Sequence, residues 1–237
     1  MILWRGASKA ESEPVEAHKP LRETLAEMTA NVEALIGADK LAAPLRAVEE
    51  LRAGGAEGRI LPAGAHAPEF ELLNQHGKPV RSADLLAQGR LILVFFRGRW
   101  DPYCMATLEA WQALRPQVKA AGVVLAAISP QTPHHTDINA EQHKLTYPVL
   151  SDPGNQVARQ FGLVWRVPEY LQEHYRRVFI NLPQVNGDPS WELPLPAAYC
   201  LERDGTVLSA EAHADFRIRP EPREVLGWVM EATGSKQ

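Results

Sequence analysis

The sequence predicts an α/β fold, a central mixed β-sheet flanked by helices, with a helical extension ahead of it. Three observations carry this. Leu91–Phe96 (LILVFF) and residues 123–129 (VVLAAIS) are short apolar runs, the pattern of strands covered on both faces. Around them, apolar residues recur every three or four positions, the helical period. Near the C-terminus, AAYCLER (197–203) and TVLSAEAH (206–213) meet at Asp204-Gly205, which reads as a hairpin. A last helix is expected over 221–232.

In chain order, residues 1–19 are polar and read as a loose tail. Leu21, Leu25, Met28, Val32, Leu35 and Ile36 then recur at helical spacing, and Leu41, Leu45, Val48 and Leu51 do so after Gly37-Ala38-Asp39. Two helices with charged outer faces follow from this, and their apolar stripes need cover from the main domain or from a second chain. GGAEGR at 54–59 closes the region, so the division is 1–59 for tail and extension and 60–237 for the α/β domain. GAHAPEFELLNQHGKPVRSADLL then opens the α/β domain from Gly64. After the strand at 91–96 comes a helix over 101–121, which Pro116 should kink or break. Gly122 then releases the chain into the strand at 123–129. PHHTDINAEQHKL reads as a helix, TYPVLSD as a short strand, NQVARQFGLVW as a short helix. A helix from Pro168 belongs to an insertion that ends in a polar loop, LPQVNGDPSWEL.

Composition narrows the function. With 237 residues, 45% hydrophobic and 23% charged, this is an ordinary soluble chain. A net charge of −4 argues against nucleic acid, which selects a basic face. No apolar run approaches the roughly 20 residues of a membrane span, and the apolar start is too short for a secretory leader. A cytoplasmic protein is expected. Two cysteines 96 positions apart make neither a disulfide scaffold nor a zinc site. His134, His135 and His143 lack a ligand framework and read as surface residues, so no metal and no cofactor is expected.

The chemistry centres on 97–104, RGRWDPYC. Asp101 is a good N-cap and Pro102 a good first helical residue, which makes Cys104 the third residue of a helix. There the exposed amides and the helix dipole favour a thiolate. Cys104 is therefore the candidate nucleophile. Asp101 has three readings: a cap, a group that bonds the thiol or handles its proton, or the mark of a lost redox function. Its charge should raise the thiol pKa. Trp100 and Tyr103 are expected in the pocket wall. Cys200, alternating with Ala198 on a strand, is expected in the core.

FFRGRWDPYC resembles the active-site stretch of the thioredoxin-like superfamily, most closely a peroxiredoxin-like branch of the alkyl hydroperoxide reductase/thiol-specific antioxidant family. The resemblance runs from Gly64 to about residue 230 and implies a thioredoxin-like fold. That branch usually carries Trp-Cys-Pro-Tyr-Cys, whereas ordinary peroxiredoxins carry Pro-x-x-x-Thr/Ser-x-x-Cys. On either pattern Cys104 falls on the reactive cysteine and Arg97 on the peroxiredoxin Pro. Asp101 departs from both, being neither a second thiol nor a hydroxyl. Pro196 falls on the Pro beside the active site, whose peptide bond is commonly cis in the family. Ordinary peroxiredoxins place an Arg near this point. Here any assisting cation must come from elsewhere, from Arg97 or Arg99 before the helix or from Arg217 or Arg219 in ADFRIRPEP; each reads as solvated otherwise.

The resemblance implies a hydroperoxide substrate, a single reactive cysteine and a small thiol or thioredoxin-like reductant. A homodimer through the N-terminal helices is a further expectation. The alternatives are a thioredoxin-type thiol–disulfide oxidoreductase, which the missing first thiol disfavours, and a redox-silent binding protein that keeps the fold.

Overall fold

The computed structural model describes residues 19–36 and 38–234; most of the expected N-terminal tail lies outside them. The chain opens with two helices, α1 (Leu21–Ile36) and α2 (Ala38–Ala53). A hairpin of β1 (Glu71–Asn74) and β2 (Pro79–Arg81) leads into α3 (Ser82–Gln88), β3 (Arg90–Phe95) and α4 (Pro102–Ala120). Next come β4 (Val123–Ser129), α5 (Pro133–Gln142), β5 (Val149–Ser151), α6 (Gln156–Gln160) and β6 (Val164–Arg166). The chain ends with α7 (Glu169–Arg177), α8 (Leu182–Asn186), β7 (Glu192–Pro194), β8 (Ala197–Leu201), β9 (Val207–Ala212) and α9 (Pro222–Gly234).

Seven strands form a mixed sheet in the order β2-β1-β5-β4-β3-β8-β9. β3, β4 and β5 run parallel, so their carboxyl ends share one edge, and β8 lies antiparallel to β3 in the register Phe95↔Ala197. The unbroken apolar run of β3 has a direct cause: both faces are covered. Leu91, Leu93 and Phe95 pack with Phe161 and Tyr199 on one side, and Ile92, Val94 and Phe96 with Leu108 and Trp111 of α4 on the other. Burying each such side chain is worth about 1.5–3 kcal/mol, which anchors the start of α4 at the end of β3.

The two N-terminal helices cover their own domain. Leu21 and Leu25 of α1 pack on Tyr103 of α4, and Ala47 of α2 packs with Val167, Leu171 and Tyr175 around α7. Only the α1 stripe settles beside the first turn of α4, and its Leu35 stays exposed.

Three expectations are corrected. Pro116 does not break α4, which continues to Ala120. Proline forfeits one backbone bond, while Leu114 and Val118 on either side stay buried and hold the helix in place. LPQVNGDPSWEL is no open loop. Asn181 caps α8 by accepting from Gln184 N, and β7 pairs with β6 in a separate two-stranded ribbon. Every peptide bond among the described residues is trans, that of Pro196 included. Leu195 N donates to Leu163 O and Pro196 O accepts from His213 N, which carries the extended chain straight into β8.

Candidate active site

β3 delivers the chain to the carboxyl edge of the sheet, where a tight turn sends it into α4. Gly98 makes the turn possible. Its φ of 145° disfavours a side chain, and a Cβ there would stand 2.7 Å from the Trp100 indole nitrogen. Asp101 then caps α4, its Oδ1 accepting from Tyr103 N at 3.0 Å, and Cys104 sits in the first turn with no exposed surface.

Three groups meet at the sulfur. The thiol donates to Asp101 Oδ2 at 2.8 Å. The backbone amide of Arg97 donates to Sγ at 3.4 Å, and Arg219 Nη2 approaches it at 3.5 Å. The same Asp101 Oδ2 receives Arg97 Nε at 2.8 Å and Arg219 Nη2 at 3.2 Å. Asp101, Arg97 and Arg219 are all buried, so these charges compensate one another with little help from water.

Electrostatics sets the protonation of the cluster. Burial works against the Asp101 carboxylate, yet Arg97 and Arg219 hold its pKa below the ordinary carboxylate value. Burial pushes the Cys104 thiol upward and the Asp101 charge adds to this, while Arg219 and Arg97 oppose it. The resting sulfur is therefore a thiol bonded to a carboxylate. Two guanidinium groups and one carboxylate leave one unit of positive charge in the pocket, which a thiolate would neutralise.

Aromatic rings wall the cluster. The Arg97 guanidinium lies 4.9 Å from the Trp100 ring and 4.8 Å from the Phe216 ring, within cation–π range. Trp100 packs on Tyr175 with centroids 5.3 Å apart. Tyr103 faces Phe216 at 5.6 Å, and its hydroxyl lies 3.1 Å from Thr29 Oγ1 on α1.

The structure brings Cys104, Asp101, Arg97, Trp100 and Tyr103 together. Pro196 precedes Ala197, which pairs with Phe95 at the end of β3. Arg99 turns away: it is exposed, and its side chain reaches Gln142. Arg217 bonds Asp215 and Glu33. The reading of all four arginines as solvated is corrected for Arg97 and Arg219, because Asp101 draws both into the interior. Tyr175, Phe216 and Thr29 have no local signal in the sequence; they arrive from α7, from segment 213–221 and from α1. Cys200 is buried on β8 opposite Ile92, and His143 bonds Glu109. Among the described residues no group of His, Cys, Asp and Glu is arranged to hold a metal ion, and no helix is long and apolar enough to cross a membrane.

A thioredoxin-like sheet with a cysteine in the first turn of the helix after its central strand defines a peroxiredoxin-like protein. Residues 63–210 match the AhpC/TSA family model, and the chain belongs to that family. It is 34% identical over 172 residues to peroxiredoxin Bcp of Escherichia coli (strain K12), covering 72% of this chain and 97% of the relative. The fold is similar to that of peroxidoxin BcpB from Mycobacterium tuberculosis (TM-score 0.57, 21% identity, 72% of this chain and 97% of the other). It is also similar to that of a cysteine-to-serine mutant of peroxiredoxin 6 from Arenicola marina (TM-score 0.60, 17% identity, 74% and 76%). The α1–α2 extension and Arg219 lie outside the residues matched by the family model.

Proposed function

We propose that the protein reduces hydroperoxides through Cys104 as its single reactive cysteine, with Asp101, Arg97 and Arg219 controlling the charge on the sulfur. The observation that carries this is the 2.8 Å bond from the Cys104 thiol to a carboxylate held between two buried arginines. Loss of the thiol proton turns a positively charged pocket neutral. The thiolate attacks the terminal oxygen of the hydroperoxide: an S–O bond forms, the O–O bond breaks, and the departing oxygen takes up a proton and leaves as an alcohol or water. The sulfur is oxidised by two electrons to a sulfenic acid.

Turnover needs two thiols from outside. The first condenses with the sulfenic acid, releasing water and forming a mixed disulfide. The second attacks that disulfide and restores Cys104. Cys200 is a poor candidate for the first step, since it is buried on a central strand and its thiol pKa is pushed up by burial to about 11. The reductant is therefore a small thiol or a thioredoxin-like protein. The family's peroxiredoxin relatives support the same reading.

Intact mass after brief peroxide treatment tests it. One or two added oxygens are expected in the wild type and none in Cys104→Ser. An adduct that persists in the variant, or no adduct in either protein, overturns the proposal.

A further inference from the structure

A groove of about 460 Å³ lies on the α1 side of the buried cluster, between α1 and residues 215–219. Its walls include Leu25, Ala26 and Ala30 of α1, with Ile218 and Arg219 on the facing segment. Arg219 belongs to both places, since its Nη2 lies 3.5 Å from Cys104 Sγ. Thr29, also in the groove wall, contacts Tyr103, the residue before the nucleophile.

The chemistry of the walls selects an occupant. The charged groups along the groove are paired: Arg217 bonds Asp215 at 2.9 Å and Glu33 at 3.7 Å, and Arg22 bonds Glu224. This pairing leaves little to recruit an ionic headgroup. What remains is apolar surface from Ala26, Ala30 and the 44% exposed Ile218. Ala26 and Ala30 stand one helical turn apart, on the same face of α1, and their small side chains leave the groove wide.

We infer that this groove holds the uncharged organic body of the hydroperoxide, so that Ala26, Ala30 and Ile218 determine how large a substrate the enzyme accepts. This rests on the peroxidase reading of Cys104. The hydroperoxide end reaches past Arg219 to the sulfur, the sulfur takes the terminal oxygen, and the organic body leaves the groove as an alcohol. Hydrogen peroxide has no organic body and does not depend on the width of the groove. α1 is thus part of the substrate site, although it lies outside the residues that match the family.

The test is single-turnover oxidation of Cys104 by cumene hydroperoxide and by hydrogen peroxide. It compares the wild type with Ala30→Trp and, from the opposite wall, Ile218→Trp. Both substitutions fall on exposed positions, and the hydrogen peroxide rate reports whether the site is intact. A loss of roughly tenfold or more with cumene hydroperoxide is expected, with the hydrogen peroxide rate unchanged. Equal losses with both peroxides, or no loss with either, overturn the groove assignment and leave the peroxidase intact. If neither peroxide oxidises wild-type Cys104, the peroxidase reading falls and the groove assignment falls with it.

Discussion

The Cys104 thiol donates a 2.8 Å hydrogen bond to Asp101 Oδ2, the carboxylate that caps the same helix. One residue thus stabilises the helix that presents the thiol and opposes ionisation of that thiol. Asp101 can do both because its two oxygens are divided: Oδ1 takes the Tyr103 amide, and Oδ2 takes the sulfur and both guanidinium groups.

Asp101→Thr should release the sulfur. The substitution removes the charge, keeps a capping oxygen and supplies the hydroxyl found in ordinary peroxiredoxins. A lower Cys104 pKa is expected, with faster oxidation by hydrogen peroxide near pH 7, where the wild type is mostly thiol. At high pH the advantage should shrink or reverse, because a more acidic thiolate is a weaker nucleophile. A pH–rate profile with no acid shift would show that Asp101 acts only as a cap.

Arg219→Met should act in the opposite direction. Arg219 lowers the thiol pKa, so its loss should raise that pKa and slow oxidation at any fixed pH below it. Asp101 would keep Arg97 but lose one of its two cations, at a cost of about 3 kcal/mol in urea unfolding. The sign with pH follows from the depressed Asp101 pKa. Stability from a depressed carboxylate is present above its unfolded pKa and is lost as pH falls through the folded value. The stability gap between wild type and variant should therefore be full at pH 7 and narrow in acid. A gap that does not vary with pH would assign the loss to packing instead.

Cys200 should stay silent in the folded protein. Titration with a bulky thiol reagent is expected to find both cysteines protected natively, since neither has exposed surface, and both reactive after denaturation. The sequence alone suggested one accessible thiol. Rapid native labelling of Cys200, or a disulfide between the two cysteines, would contradict its placement on β8.

Asp101→Cys should recreate the Cys-Pro-Tyr-Cys pattern and also remove the carboxylate that sits between Arg97 and Arg219. A strongly acidic Cys104 and a disulfide that forms under mild oxidants are expected, read as loss of two hydrogens in intact mass. A variant that remains reduced would place the two side chains too far apart for a bond.

The parts of this molecule that were legible in the sequence are those set by near neighbours. The apolar run at 91–96, the Asp101-Pro102 helix start and the hairpin at Asp204-Gly205 each state their structure within a few residues. Asp101 as a cap, and as a charge that raises the thiol pKa, was legible for the same reason. Its place between two buried arginines was not, because that depends on Arg219, 118 positions away. Nothing local separates Arg219, drawn inside by a buried carboxylate, from Arg99, which stays in water. Tyr175 was missed because α7 reads only as an insertion; its place beside Trp100 depends on how that insertion folds back. β6 and β7 are three residues each, too short for periodicity to register, and they exist through their pairing with each other.

Glu221 caps α1 across almost the whole chain, its carboxylate accepting from Leu21 N and Arg22 N at 3.3 and 3.1 Å. The cap and the helix it serves are 200 residues apart, so the helix is synthesised long before its cap. α1 precedes the sheet in the chain, yet the residue that fastens it follows the sheet. In refolding, shielding of Cys104 from an alkylating pulse should accordingly lag behind recovery of the sheet. Until the segment that carries Glu221 docks, the thiol has the sheet and α4 around it but not a fastened α1.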